Sequence, residues 1–130
     1  MADAQALIAA AMKVRERAHA PYSRFPVGAA ILADDGQIYV GANVENASYP
    51  EGICAETAAL AAMVAGGARR ALMLALVCDA PRPVPPCGGC RQRLSEFAGP
   101  ELAIHLATVA GLRQSLTLGG LLPDAFGLPH

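Results

Sequence analysis

Three cysteines and one glutamate have the types and spacing to do chemistry in this chain: Cys54-Ala55-Glu56, then Pro86-Cys87-Gly88-Gly89-Cys90. Residues three apart share one helix face, so Cys87 and Cys90 can deliver two thiolates to one metal, and Cys54 supplies a third from a separate segment. Three protein ligands leave one position of a tetrahedral Zn²⁺ open for water, which separates catalytic zinc from closed structural sites. Glu56 adjoins a ligand without being one, and a carboxylate beside an activated water can move its proton. Two other readings compete. A closed four-cysteine site would need Cys78, which ends an apolar run and reads better as an ordinary buried cysteine. A thioredoxin-type redox pair would leave Cys54 and Glu56 without a role.

Both cysteine motifs fall where a loop turns into a helix. A helix N-terminus carries partial positive charge and free N–H groups, which lower a thiol's pKa and accept the site's negative charge. Three thiolates on Zn²⁺ leave a net negative charge, and the two helix ends together with Arg91 are the groups expected to offset it. His19, His105 and His130 are each isolated, without metal-ligand spacing to one another, and read as ordinary core or surface histidines.

The surrounding elements follow from periodicity. Ala4, Leu7, Ile8, Ala11, Val14 and Ala18 recur at helical spacing, and Pro21 ends that helix. An apolar run over 27–32, the turn Asp34-Asp35-Gly36 and a second extended run over 37–40 predict a β-hairpin. A polar loop spans 43–52. Residues 54–65, rich in Ala, Leu and Met, predict a buried helix stopped by Gly66-Gly67. Residues 71–78 are apolar throughout, as in a central strand covered on both faces. Four prolines between 81 and 86 forbid regular structure before a short helix over 88–97, and a strand is expected over 102–106. The stretch 109–118 carries no signal beyond that of a connection, and 115–123 reads as a turn leading into a terminal helix or coil. Helix, two strands, helix, strand, helix, strand is the order of an α/β sandwich with a mixed sheet.

A chain of 130 residues is expected to form one domain, residues 1–130, with a single core. Its 54% apolar and 16% charged content implies more apolar surface than one core hides, and hence an oligomer. A formal charge of −1, few aromatics and no tryptophan argue against a nucleic-acid partner. With no charged-then-apolar leader and no apolar run of membrane length, the chain is expected to be soluble and cytoplasmic, without a membrane partner.

With these residues in place, the chain resembles the cytidine deaminase family, in its small, homotetrameric, three-cysteine form. A non-ligand glutamate beside a three-cysteine zinc site with Pro-Cys-x-x-Cys is the known signature of zinc deaminases. The likeness runs nearly end to end. It includes Pro21-Tyr22-Ser23-Arg24-Phe25-Pro26-Val27-Gly28-Ala29-Ala30, Gly41-Ala42-Asn43-Val44-Glu45-Asn46, the two cysteine motifs through Arg91-Gln92, and Leu121-Leu122-Pro123-Asp124-Ala125-Phe126.

The resemblance implies a three-layer α-β-α sandwich around a mixed sheet. It implies zinc-dependent conversion of cytidine and deoxycytidine to uridine and deoxyuridine with loss of ammonia, in pyrimidine salvage. Cys54, Cys87 and Cys90 would hold the metal, and Glu56 would shuttle protons. Asn43 and Glu45 alternate on an extended segment and face one way, where an amide and a carboxylate can hold ribose hydroxyls. The alternative for this pair is loop capping and hairpin closure; the resemblance favours the sugar, near its 3′-hydroxyl. Phe25 resembles the aromatic that packs on the pyrimidine, and Ala55 the residue whose backbone N–H meets the base carbonyl. Tyr49 and Phe126 resemble residues that reach a neighbouring subunit's pocket in a homotetramer. A blasticidin-type or free-base deaminase would keep the cysteine motifs without the sugar clamp, and a non-enzymatic zinc module would need a fourth protein ligand. One position departs from many three-cysteine relatives: the arginine that follows their glutamate, where it damps thiolate charge, is here Thr57.

Overall fold

Small side chains decide how closely the layers of this molecule stack. In the computed structural model, which describes residues 2–129, the strand β1 (Val27–Ala33) turns into β2 (Ile38–Ala42) through the expected hairpin, with Ala30 opposite Val40. β1 also pairs antiparallel with β3 (Ala71–Cys78), which runs parallel to β4 (Ala103–Thr108). A last strand, β5 (Arg113–Thr117), pairs antiparallel with β4 and completes a mixed sheet of order β2-β1-β3-β4-β5. Parallel neighbours require a crossover, and the helix α3 (Gly88–Phe97) provides it between β3 and β4. β3 lies at the centre of the order, as its unbroken apolar run demands.

Alternation along the strands sends one set of residues to each face. On one face Ala30, Leu32, Ala75 and Val77 pack under Leu7, Ile8 and Ala11 of α1 (Ala4–Arg15). On the other, Ala29, Ile31, Leu74, Leu76, Ile104 and Leu106 pack against Ala55, Ala59, Leu60 and Met63 of α2 (Ala55–Ala65) and Leu94 of α3. Each fully buried leucine or isoleucine contributes about 1.5–3 kcal/mol, so this second, larger cluster is the main anchor of the two helices. The architecture is the expected α-β-α sandwich. Two glycines set its spacing: a Cβ at Gly28 would collide with the Ala11 carbonyl of α1, and one at Gly41 with the Ala59 nitrogen and Ala55 carbonyl of α2. Gly41 therefore lets α2 lie almost on the backbone of β2, which fixes where its N-terminus falls.

Two features differ from expectation. α1 stops at Arg15 and does not run on to Ala18, because the following backbone is claimed by a bridge: His19 N–H donates to the Asn43 carbonyl and Glu45 N–H to the His19 carbonyl. β5 occupies most of the stretch 109–118 that carried no signal. It is an edge strand, exposed along nearly its whole length, so it has no apolar alternation to betray it. Beyond it, Thr117 caps a four-residue helix, α4 (Leu118–Leu121), by accepting from Gly120 N–H at 3.2 Å. His105 pairs across β4 and β5 with Ser115, Nδ1 to Oγ 2.9 Å, as a partly buried structural histidine; His130 lies outside the described residues. Among the described residues, no helix is long and apolar enough to cross a membrane.

Candidate active site

The cysteines stand where the two helices of the second layer begin. Cys54 is the N-cap of α2 and Cys87 the N-cap of α3, both with extended backbone and neither with a side-chain cap hydrogen bond. Serine, threonine, aspartate or asparagine would cap these helices better. Cysteine at both positions gives up that bond and leaves the sulfur free. Cys90, one turn into α3, is fully buried. The three Sγ atoms lie within 4.8 Å of one another, and Cys78, although buried nearby at the end of β3, is not part of this group. Two thiolates on a tetrahedral zinc at about 2.3 Å stand about 3.8 Å apart. Cys54 and Cys87 Sγ are 3.7 Å apart, the spacing two ligands of that ion take, and Cys90 Sγ lies within 4.8 Å of both. The thiols interact strongly: a hydrogen bond from the Cys90 thiol holds Cys54 below its ordinary pKa, while the same contact, together with burial, pushes Cys90 far upward.

Glu56 follows Cys54 in the first turn of α2 and is 5% exposed, one of two buried polar residues among those described. Burial pushes its carboxyl above the usual range, against the pull of its own backbone N–H, the Cys90 thiol and the charge of Arg93. A carboxyl raised in this way holds a proton more readily than a free one, which suits a group that takes up a proton and passes it on. Cys54, Ala55, Glu56 and Cys87 line one cavity of about 240 Å³ with Phe25, Asn43, Val84 and Cys78. That is below the roughly 300 Å³ of drug-sized pockets and suits a small ligand. Ala55 sits at the first helical position, where backbone N–H groups have no partner within the helix.

Arg91 does something other than face the sulfurs. Its Nε donates to the Pro86 carbonyl at 2.7 Å and its guanidinium to the Leu121 carbonyl at 2.9 Å, so it ties the residue before Cys87 to α4. The guanidinium beside a ligand belongs to Arg93. It lies 3.2 Å from Thr57 Oγ1 and 4.0 Å from Cys90 Sγ, and Thr57 Oγ1 is itself 3.5 Å from that sulfur. The sequence reading missed Arg93. Its signal was available: it lies three residues after Cys90, hence on the same helix face.

The opposite wall is held together by side chains that also look like ligands. Asn43 Oδ1 accepts from Val27 N–H at 2.8 Å and its Nδ2 donates to the Phe25 carbonyl at 3.0 Å. Glu45 accepts from the backbone N–H groups of Tyr22 and Ser23, both at 3.0 Å, and from the Ser23 hydroxyl. Both side chains do face one way, toward residues 22–27. Glu45 opens on a second cleft of about 320 Å³ with Tyr22, Asn46 and Tyr49, and Ser23 lines both cavities. Tyr49 is 75% exposed and packs edge-on against Tyr22, with ring centroids 5.8 Å apart. Phe126 is 71% exposed and lines a separate groove, its carbonyl accepting from Gln92 at 3.2 Å.

A mixed five-stranded sheet that presents three sulfurs and a buried, non-ligating glutamate at two helix ends defines the zinc-dependent deaminase class. Comparison with known proteins narrows this. The family model for the cytidine and deoxycytidylate deaminase zinc-binding region matches residues 1–106. A cytidine deaminase of Sporosarcina psychrophila is 46% identical over 124 residues, covering 95% of this chain and 91% of that protein. One from Mycobacterium tuberculosis is 49% identical over 111 residues, covering 85% and 80%. The crystal structure of cytidine deaminase from Burkholderia pseudomallei superposes with a TM-score of 0.92 at 44% identity, covering 96% of this chain and 100% of that one. The chain belongs to the cytidine deaminase family.

Proposed function

We propose that this chain hydrolyses cytidine and deoxycytidine to uridine and deoxyuridine, releasing ammonia, with zinc held by Cys54, Cys87 and Cys90. The observation that carries the reading is the buried Glu56 carboxyl sharing one small cavity with this cradle in a member of the family. Zinc, when bound, supplies the Lewis acidity that activates a water for attack on C4 of the base. Glu56 takes a proton from that water and places it on N3. It then passes the second proton to the exocyclic amine, whose bond to C4 breaks as ammonia leaves. Water is consumed, and nothing is oxidised or reduced.

The remaining residues orient the nucleoside. Phe25 packs against the pyrimidine, and the Ala55 N–H donates to its carbonyl. Asn43 and Glu45 hold the sugar while continuing to hold the chain. An amide offers two acceptor sites and two donors, and Asn43 uses one of each on the backbone. A carboxylate has about four lone-pair sites, and Glu45 fills three of them. Both therefore keep capacity for a ribose hydroxyl. The single domain of residues 1–130 works in the cytoplasm in pyrimidine salvage, without nucleic-acid partners, as a homotetramer in which Tyr49 and Phe126 complete a neighbour's pocket. The exposure of both rings supports that assembly.

Ammonia release from cytidine, deoxycytidine, cytosine and blasticidin S tests the activity: turnover of the two nucleosides is expected, and turnover of cytosine or blasticidin S alone would replace the reading with a sister deaminase. Light scattering is expected to give the mass of four chains. Truncation before Leu121 is expected to weaken assembly and activity together, and a monomeric truncation with full turnover would remove the composite pocket.

A further inference from the structure

Three thiolates on a zinc ion would leave the cradle with net negative charge, and Arg93 reaches it through a hydroxyl. Arg93 NH1 donates to Thr57 Oγ1 at 3.2 Å. With that lone pair engaged, the threonine's own hydrogen is free to point elsewhere, and the acceptor within reach is Cys90 Sγ at 3.5 Å. The same guanidinium nitrogen stands 4.0 Å from that sulfur. Cys90 is fully buried, out of reach of bulk solvent, which makes it the ligand most in need of a protein donor.

We propose that Arg93 and Thr57 form a directed relay, guanidinium to hydroxyl to Cys90 sulfur, that offsets the thiolate charge and keeps the metal electrophilic. The relay joins the two helices that carry the ligands: α3 contributes Cys90 and, one turn on, Arg93, while α2 contributes Thr57 next to Glu56. It explains how a threonine can follow the glutamate here, since the positive charge arrives from the facing helix. Arg93 and Thr57 are positioning residues that act through the sulfur, and the proposal rests on the zinc reading above.

Cobalt(II) in place of zinc reports directly on the sulfurs, because the sulfur-to-cobalt charge-transfer bands move to lower energy when a thiolate loses a hydrogen-bond donor and becomes more electron-rich. Cobalt-loaded Thr57→Val and Arg93→Gln are expected to show that shift, the double variant little more than the larger single one, and Arg93→Lys a partial return. Zinc affinity, measured by chelator competition, is expected to fall about 10–100-fold in Arg93→Gln, the usual loss for a residue that supports a metal ligand. Unchanged bands in both single variants, with one metal still bound per chain, would overturn the relay and leave the zinc site standing. If the unaltered chain bound cobalt through other than three sulfurs, the zinc reading would fail and the relay with it.

Discussion

The two walls of the active cavity are built on opposite rules. On the metal wall, Cys54 and Cys87 occupy helix N-caps without making a cap bond, and Glu56 is buried on the first turn of a helix packed tightly on β2. The two N-cap sulfurs make no bond to the helix they cap, and the contacts among the site's side chains are to one another. On the facing side, Asn43, which lines the cavity, and Glu45, which opens on the adjoining cleft, spend two and three hydrogen bonds on the loop over 22–26 and on Val27, where β1 begins. Helices can present a ligand and remain ordered without its help. A loop must first be held, and here Asn43 and Glu45 do the holding. Substitutions on the metal wall should therefore cost chemistry at little expense in stability, and those on the loop wall should cost both.

Glu56→Gln is the sharpest case and has the largest expected effect. An amide of the same shape cannot carry either proton, so turnover should fall by about 10²–10⁴-fold or more, with zinc content and melting temperature little changed. Near-normal turnover in the zinc-loaded variant would take Glu56 out of the mechanism. Arg91→Ala comes next. It releases the Pro86 and Leu121 carbonyls, which position the Cys87 turn, and should lower zinc affinity in chelator competition by about 10–100-fold. Because Arg91 touches carbonyls and not sulfur, its cobalt bands should stay in place. A shift as large as that of Arg93→Gln would merge the roles of the two arginines.

The same contrast explains what could be read from the sequence. The metal wall was legible because a spacing of three on a helix face and a glutamate beside a cysteine are local patterns, and the helix expected over 88–97 begins and ends where α3 does. β3 was legible because eight consecutive apolar residues admit few alternatives. Arg91 was counted with the two helix ends among the charge-compensating groups because it is next to a ligand in sequence. Neighbours on a helix point about 100° apart, and Arg93, one turn on, is the one that reaches the sulfur. β5 was missed because its order comes from its partner: Leu106 faces Gln114 and Ala107 faces Arg113 across the ladder, and nothing in an exposed polar segment announces such pairing. The early end of α1 was missed for a related reason, since the bridge from His19 to Val44 joins segments far apart in sequence. Asn43 and Glu45 were weighed as sugar ligands or as loop closure, and the structure shows that closure is part of what they do.

Asn43→Ala tests the double duty. Losing two partly buried bonds should destabilise the fold by about 1–3 kcal/mol, since Val27 N–H and the Phe25 carbonyl lose their side-chain partner. It should also raise KM for cytidine more than it lowers kcat, because the amide's spare donor and acceptor would have met the sugar in ground and transition state alike. A raised KM at unchanged melting temperature would make Asn43 a ligand alone, and the reverse would make it a brace alone.

The smallest effect concerns Glu45 and pH. The Ser23 hydroxyl, then the backbone N–H groups of Ser23 and Tyr22, hold its carboxyl below the ordinary range, with a minor contribution from the charge of His19. The folded-state pKa is thus lower than the unfolded one. The carboxylate's contribution to stability is fully present above the unfolded value, about 4.3 for glutamate, and is lost as pH falls through the folded value. Melting temperatures of the natural chain and Glu45→Gln, compared between neutrality and acid, should differ by a constant amount above a pH of about 5 and draw together as pH falls past the unfolded value toward the lower folded one. The gap should be modest, since Glu45 lies at the rim of an open cleft where solvent screens it. Convergence would show that the carboxylate braces residues 22–23 through its charge. A gap that persisted at low pH would mean that the protonated acid still accepts these bonds, so that shape alone, and not ionisation, holds the loop wall against the metal wall.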